Sequence, residues 1–352
     1  MKICFFGIYD PSYSRNNILL TGLAGAGAEI VHCRAEWRDP LRYFKLWKSL
    51  RTLRNNYDCI YAAYPSSVPA IIARIISRKP VIADAFYSMY DAVVNDRREI
   101  GRWRPRALKL LLIDWLSVML AHVVITDTEE HKKYWSSWWL VNKKKIHPVY
   151  LGINNQLFHP LPVSPLPVSQ KDYFLVHFHG TYIPLQGVDK IIEAARLCVF
   201  DQKIHFRLIG AGVDSEKVRK LVGRDSLSNV EFMGKVPLVG LNSYINEADV
   251  VLGIFGDTPK ARRVIPNKVY EGMATKKAVI TMDTLAVREI FSETELLLVQ
   301  NNPRSIADAI TMLSRNESMR ASLAHNGFSA VQKYAPESVA TSLINILSKY
   351  VK

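Results

Sequence analysis

The sequence predicts an α/β protein built from two doubly wound halves. Short apolar runs alternate with helical patterns along the whole chain. The alternation stops at a proline-rich break and then starts again. The length, 352 residues, exceeds the size at which one hydrophobic core usually stops growing.

In the first half, residues 2–7 (KICFFG) form a continuous apolar run of strand length, and 18–27 carry a helical pattern behind it. Strands are expected at 29–33, 57–64, 80–86, 122–126 and 146–151, and helices at 41–55, 67–77, 106–120 and 129–140. Strands that alternate with helices in this way belong to a parallel sheet covered on both faces.

The break follows His159. Pro160, Pro162, Pro165 and Pro167 forbid a helix and make a semi-rigid connector. Beyond it, strands are expected at 174–179, 205–209, 230–233, 250–254, 278–281 and 297–299. Helices are expected at 188–199, 216–222, 240–246, 267–274, 303–314, 317–333 and 337–350. The predicted organisation is a first domain over 1–160, a linker over 161–172 and a second domain over 173–335. A final helix over 336–352 is expected to cross back to the first domain.

Composition narrows the function classes. With 49% hydrophobic and 22% charged residues the chain is globular, not disordered. Its four cysteines lack disulfide or metal spacing and read as reduced core thiols. The longest apolar tract, 107–125, carries Lys109, Asp114 and His122, so it is a core or interfacial segment and not a membrane span. Met1 and Lys2 run straight into the first strand, and no signal peptide is expected. A net charge of +14 favours an anionic partner: nucleic acid, anionic lipid or a phosphorylated small molecule.

In open α/β sheets, ligands bind beyond the carboxyl ends of strands, where loops enter helices and free backbone N–H groups favour anions. The loop 180–187, bounded by Gly180 and Gly187 and containing Thr181 and Gln186, opens the second half and is a phosphate-binding candidate. The stretch 259–271 places Lys260, Arg262, Arg263 and Lys268 at the entry of a helix, where the dipole repels cations unless an anion is bound. Glu271 follows early in that helix and is suited to ribose hydroxyls, while the cations hold a diphosphate. In the first half, Asp84 and Asp91 are candidates to orient or deprotonate an acceptor hydroxyl. Asp10 and Arg15 are candidates to contact the acceptor or a phosphate.

Several blocks in order carry a family resemblance. They are Val149-Tyr150-Leu151-Gly152-Ile153-Asn154 with Leu157-Phe158-His159-Pro160, Asn229-Val230-Glu231-Phe232-Met233-Gly234, Glu247-Ala248-Asp249-Val250, and Ile265-Pro266-Asn267-Lys268-Val269-Tyr270-Glu271-Gly272-Met273-Ala274 followed by Ala278-Val279-Ile280. With these the chain resembles the family 4 glycosyltransferases of the GT-B fold, in which two Rossmann-like domains face each other across a cleft. The resemblance implies a hexosyltransferase-like enzyme that needs no cofactor and no metal. It would move a sugar from a UDP-, GDP- or dTDP-linked donor, held by the second domain, to an acceptor hydroxyl held by the first. It also assigns Glu271 to the ribose-binding carboxylate of a paired-glutamate motif. The chain departs from the pattern in having Arg263 for the first glutamate, Thr181 and Gln186 for a diphosphate-gripping arginine and lysine, and Asp84 for a histidine. Arg262, Arg263 and Lys268 then supply the missing positive charge, and Arg263 joins the catalytic candidates by stabilising the departing diphosphate.

Residues 41–55 put Tyr43, Leu46, Trp47, Leu50 and Leu53 on one helical face, with Arg42, Lys45, Lys48 and Arg51 around the rest. Two further basic and aromatic sets follow, Arg97–Arg106 with Trp103, and Tyr134–Trp139 with three lysines at 143–145. This predicts a cytoplasmic protein, peripheral at the inner face of an anionic membrane, acting on a glycan or lipid-linked acceptor in polysaccharide, glycolipid or lipid-linked glycan synthesis. Two alternatives share the architecture: a nucleotide-sugar epimerase and a catalytically silent partner protein. A nucleic-acid binder is disfavoured, because no recognised nucleic-acid module accompanies the charge.

Overall fold

The computed structural model of the protein describes residues 1–54, 56–162, 173–223 and 227–351. These fold into two compact units, Met1–Asn154 with Tyr334–Lys352, and Asn155–Lys333. Most of the proline-rich connector, residues 163–172, lies outside the described residues.

The first unit holds β1 (Lys2–Gly7), α1 (Ser14–Gly25), β2 (Glu29–Arg34), α2 (Arg42–Thr52), β3 (Cys59–Ala62), α3 (Ser67–Ile76), β4 (Val81–Asp84), α4 (Pro105–Leu120), β5 (Val123–Thr126), α5 (Glu129–Ser136) and β6 (Ile146–Pro148). Its six strands are all parallel, in the order β2-β1-β3-β4-β5-β6. Every residue of β3, β4 and β5 is buried, as expected of strands covered on both faces; their sequences are apolar except for Asp84 and Thr126, which end β4 and β5. A π-helical turn over Asp91–Asp96 was not legible in the polar sequence there.

The second unit holds β7 (Phe174–His179), α6 (Val188–Leu197), β8 (Ile204–Ile209), α7 (Ser215–Gly223), β9 (Val230–Gly234), α8 (Leu238–Asn246), β10 (Val250–Leu252), α9 (Asn267–Ala274), β11 (Ala278–Met282), α10 (Leu285–Arg288), β12 (Leu297–Val299), α11 (Pro303–Arg315) and α12 (Glu317–Val331). Its parallel strands run β12-β11-β10-β7-β8-β9. The order reverses between β7 and β10, and in the first unit between β1 and β3. Each sheet therefore has a topological switch point where a crevice opens beyond the strand ends.

The second unit begins before the connector for a local reason. The His159 and Leu161 N–H groups donate to the Asn242 and Asn246 side chains on α8, at 3.2 and 2.9 Å, and Asn246 Nδ2 returns a bond to the His159 carbonyl. The last helix, α13 (Pro336–Leu347), belongs to the first unit. Val339, Ala340, Leu343 and Leu347 share a core with Ile18, Leu19 and Leu23 of α1. The two helices touch at Gly22, where a Cβ would stand 1.9 Å from the Pro336 carbonyl oxygen, so only glycine permits the crossing.

Candidate functional site

In the second unit the switch point lies between the ends of β7 and β10. The loop after β10 runs into α9, and the loop after β7 runs into α6. The two loops pack backbone to backbone. Gly187, with φ +66°, caps α6 so tightly that a Cβ would lie 2.3 Å from the Phe255 carbonyl carbon. That contact assigns Gly187 to loop packing.

Four of the expected donor-binding residues meet here. Lys268, buried on the first turn of α9, donates from Nζ to Gln186 Oε1 and lies 4.7 Å above the Phe178 ring. Gly180 adjoins the same ammonium, since a Cβ on it would lie 3.1 Å from Lys268 Nζ. One turn on, Glu271 is buried and accepts a 2.7 Å hydrogen bond at Oε2 from His179 Nε2. Burial pushes the Lys268 ammonium down to about 7, opposed only by the nearby Glu271 carboxylate. Thr181 and Arg262 are exposed and Arg263 is half-buried, all on the flanking loops.

His179 and its neighbour His177 were not singled out in the sequence. Both point to one face of β7, and His177 Nε2 lies 3.0 Å from His179 Nδ1. The signal was present as His177-Phe178-His179-Gly180, two alternate polar positions in an apolar strand directly before the glycine loop.

A depression of about 820 Å³ on this unit lies elsewhere. Its lining includes Tyr173, Lys203 and Asp249, which precede β7, β8 and β10, so it opens at the amino ends of the strands, opposite the switch point.

In the first unit the structure rearranges the expected roles. Arg15, on the first turn of α1, is wholly buried and donates from Nε and Nη2 to both Asp84 oxygens, each at 3.2 Å, and from Nη1 to the Val149 carbonyl at 2.7 Å. Burial works against the guanidinium charge, but Asp84 beside it holds the group above its ordinary pKa. Each group neutralises the other. Arg15 is therefore not an open phosphate contact, and Asp84 is not an unpaired base. Asp91 is also buried and accepts from Asn95 Nδ2 at 2.9 Å within the π-helical turn. Asp10 is exposed and binds the backbone N–H and hydroxyl of Ser12. A second buried pair, Asp127 Oδ1 with His131 Nδ1 at 2.6 Å, lies just past β5.

The basic aromatic surfaces are only partly as expected. On α2, Leu46 and Leu50 are buried against the sheet, while Phe44 is 59% and Trp47 37% exposed, stacked on each other at 5.9 Å. Arg51 covers the Trp47 ring at 4.3 Å. Trp103 is 81% and Trp139 74% exposed. Trp135, by contrast, is a core residue that donates to the Ala85 carbonyl at 2.9 Å. Among the described residues no helix is long and apolar enough to cross a membrane.

Residues 174–316 match the family described as glycosyl transferases group 1. The matched stretch lies within the second unit. It covers every strand of that unit's sheet and the helix α9 that carries Lys268 and Glu271. The entire chain shares its fold with GT-B glycosyltransferases. Sucrose-phosphate synthase from Thermosynechococcus elongatus superposes with a TM-score of 0.78 at 16% identity, covering 99% of this chain and 98% of that one. Anabaena HepE in complex with UDP-glucose superposes with a TM-score of 0.77 at 17% identity, covering 99% and 100%. Among curated proteins, an uncharacterised glycosyltransferase of Methanocaldococcus jannaschii is 26% identical over 197 residues, 55% of this chain and 51% of that protein. The N,N'-diacetylbacillosaminyl-diphospho-undecaprenol alpha-1,3-N-acetylgalactosaminyltransferase of Campylobacter jejuni is 24% identical over 254 residues, 67% of this chain and 63% of that protein. The chain thus matches about half the length of the first relative and under two thirds of the second.

Proposed function

We infer that the protein transfers a sugar from a nucleotide-sugar donor to an acceptor hydroxyl. The observation that carries this reading is the pairing at one switch point of a buried cation, Lys268, with a buried carboxylate, Glu271, one helical turn apart. A sugar nucleotide offers the complement: a diphosphate for Lys268 and the N–H groups of the α9 turn, and ribose hydroxyls for Glu271. Arg262 and Arg263 extend the positive charge along the entry to α9. The family match and the curated relatives are transferases, which supports transfer over epimerisation.

In the reaction, the bond from the anomeric carbon to the β-phosphate oxygen breaks and a bond to the acceptor oxygen forms. The acceptor proton is released and the nucleoside diphosphate departs. Negative charge grows on the leaving diphosphate, and the enclosed cation stabilises it there more effectively than it would in water. The cations take the part a divalent metal would play, so we assign no metal to the reaction. The buried Arg15–Asp84 pair holds the first turn of α1 to the end of β4 and acts as scaffold for the acceptor side. The exposed aromatic and basic residues of α2, with Trp103 and Trp139, fit a peripheral position on an anionic membrane and a lipid-linked acceptor. The undecaprenyl-linked acceptor in the name of the Campylobacter relative supports the same choice.

Thermal shift against UDP, GDP and dTDP tests the donor half. One diphosphate is expected to raise the melting temperature of the protein, by an amount that grows with ligand concentration. Glu271→Ala and Arg263→Ala are expected to weaken that ligand about tenfold or more, in line with the loss of a hydrogen bond to a charged group. Unchanged affinity in both variants would remove the site.

A further inference from the structure

The Glu271 carboxylate does not stand alone. Behind it, on the central strand β7, two imidazoles form a line: His177 Nε2 is 3.0 Å from His179 Nδ1, and His179 Nε2 is 2.7 Å from Glu271 Oε2. With Glu271 as the carboxylate and both rings neutral, the two distances allow one placement of protons. A carboxylate only accepts, so His179 carries its hydrogen on Nε2 and presents a bare Nδ1. That nitrogen in turn accepts the Nε2 hydrogen of His177. The Nδ1 of His177 is then the bare atom, and it is indeed buried with no hydrogen-bond partner among the described residues. Burial, with His179, Arg207 and Lys268 adding to it, drives His177 well below the usual imidazole range, so it is the neutral form that supplies the single N–H.

The charged groups around the two rings are Arg207 from β8, itself tied to Glu231 and Glu247, and Lys268 and Glu271 from α9. The strand on the other side of β7, β10, contributes only apolar residues. The three groups are bonded in series, and among the described residues no set of ligands converges as a metal site would need.

We propose that His177 and His179 are positioning residues, a two-imidazole brace that locks the Glu271 carboxylate toward ribose hydroxyls. An imidazole bonded at one nitrogen can swing about its ring axis, whereas one bonded at both is fixed. His177 therefore sets the orientation of His179, and His179 pins Oε2. Oε1, to which no described residue is seen to donate, is left to accept from the ribose. The proposal rests on the donor reading above.

Two measurements on the full chain test it separately from that reading. With histidine labelled in 15N, long-range proton–nitrogen correlations at pH 8 are expected to show His177 and His179 both as the Nε2–H tautomer, assigned through the single variants. An Nδ1–H tautomer at His179 would overturn the brace. The second readout is the ratio of dissociation constants for 2′,3′-dideoxy-UDP and UDP, which isolates the ribose hydroxyls. The unaltered protein should favour UDP about tenfold. His177→Leu and His179→Leu should bring the ratio toward one while changing affinity for the dideoxy ligand little. His177→Gln, which can still donate to Nδ1, should restore the preference. A purely structural role would weaken both ligands alike and leave the ratio unchanged, and that result overturns the proposal. If UDP, GDP and dTDP all fail to bind the unaltered protein, the donor reading falls and the ribose role with it, whatever the spectrum shows.

Discussion

Lys268 stands between two influences that act on its proton in opposite directions. Burial lowers it to about 7, well under the ordinary lysine value, and a bound diphosphate would raise it again. In the free protein, the unfolded chain therefore holds a proton that the folded one has lost between pH 7 and about 10.5. By linkage this group makes stability rise with pH across that window. For ligand binding the sign is reversed, because the charged amine is the binding form and affinity falls as pH climbs past 7. Calorimetric titration with UDP at pH 8, in buffers of different ionisation enthalpy, should show net proton uptake that fades by pH 6 and vanishes in Lys268→Met. No uptake at pH 8 would contradict the role given to this residue. The buried Arg15–Asp84 pair yields a second expectation. Asp84→Asn leaves a charge enclosed without its partner and should cost about 3–5 kcal/mol in urea unfolding, whereas Arg15→Met with Asp84→Leu together should cost far less. A loss below about 1 kcal/mol in the single variant would mean the pair is not enclosed in solution. These residues also mark how far the site was legible. Gln186, Lys268 and Glu271 stood out because they occupy a strand-to-helix loop or the first two turns of the helix that follows one. Arg15 and Asp84 lie 69 positions apart, and nothing in the sequence announces that they neutralise each other. His177 and His179 were absorbed into an apolar strand, whose alternation says which face they share but not what waits there.

At the scale of single elements the strands were the clearest, since an unbroken apolar run of four to six residues has few other destinations in a doubly wound sheet. Helix ends were less so. The helix expected over 129–140 stops at Ser136, where Trp135 and Trp138 turn into the core and Leu140 takes a left-handed backbone. The helix α2 shows the same limit at its surface. Its pattern places Leu46, Leu50 and Trp47 on one stripe, yet only the two leucines are buried, and Phe44 joins Trp47 outside. That outward aromatic pair is the element-scale test of membrane docking. Phe44→Ser with Trp47→Ser should leave the melting temperature unchanged while lowering co-sedimentation with phosphatidylglycerol vesicles about tenfold or more, from the apolar area withdrawn from the lipid boundary. Equal binding by the double variant would assign the surface to something other than lipid.

For the molecule as a whole, the two-sheet plan was readable because alternation, break and renewed alternation are features of long stretches that no single residue can disguise. The unit boundaries depend on particular hydrogen bonds and were not readable to the residue, as the attachment of His159 and Leu161 to α8 shows. The more telling feature is that the first unit is made of two separate stretches. Removing residues 334–352 takes Val339, Leu343 and Leu347 out of a core shared with α1. At about 1.5–3 kcal/mol for each buried aliphatic side chain, the loss is a large part of what a domain has in hand. The shortened chain should show a single thermal transition, from the second unit, still shifted by its nucleotide. Two surviving transitions would show that α13 is dispensable. This arrangement also constrains synthesis. A ribosome delivers residues 1–154 before residues 334–352, so they lack the helix that covers α1 until the whole second unit has been made. The second unit, being continuous, can close while its predecessor still waits, so of the two units the one begun earlier is completed later.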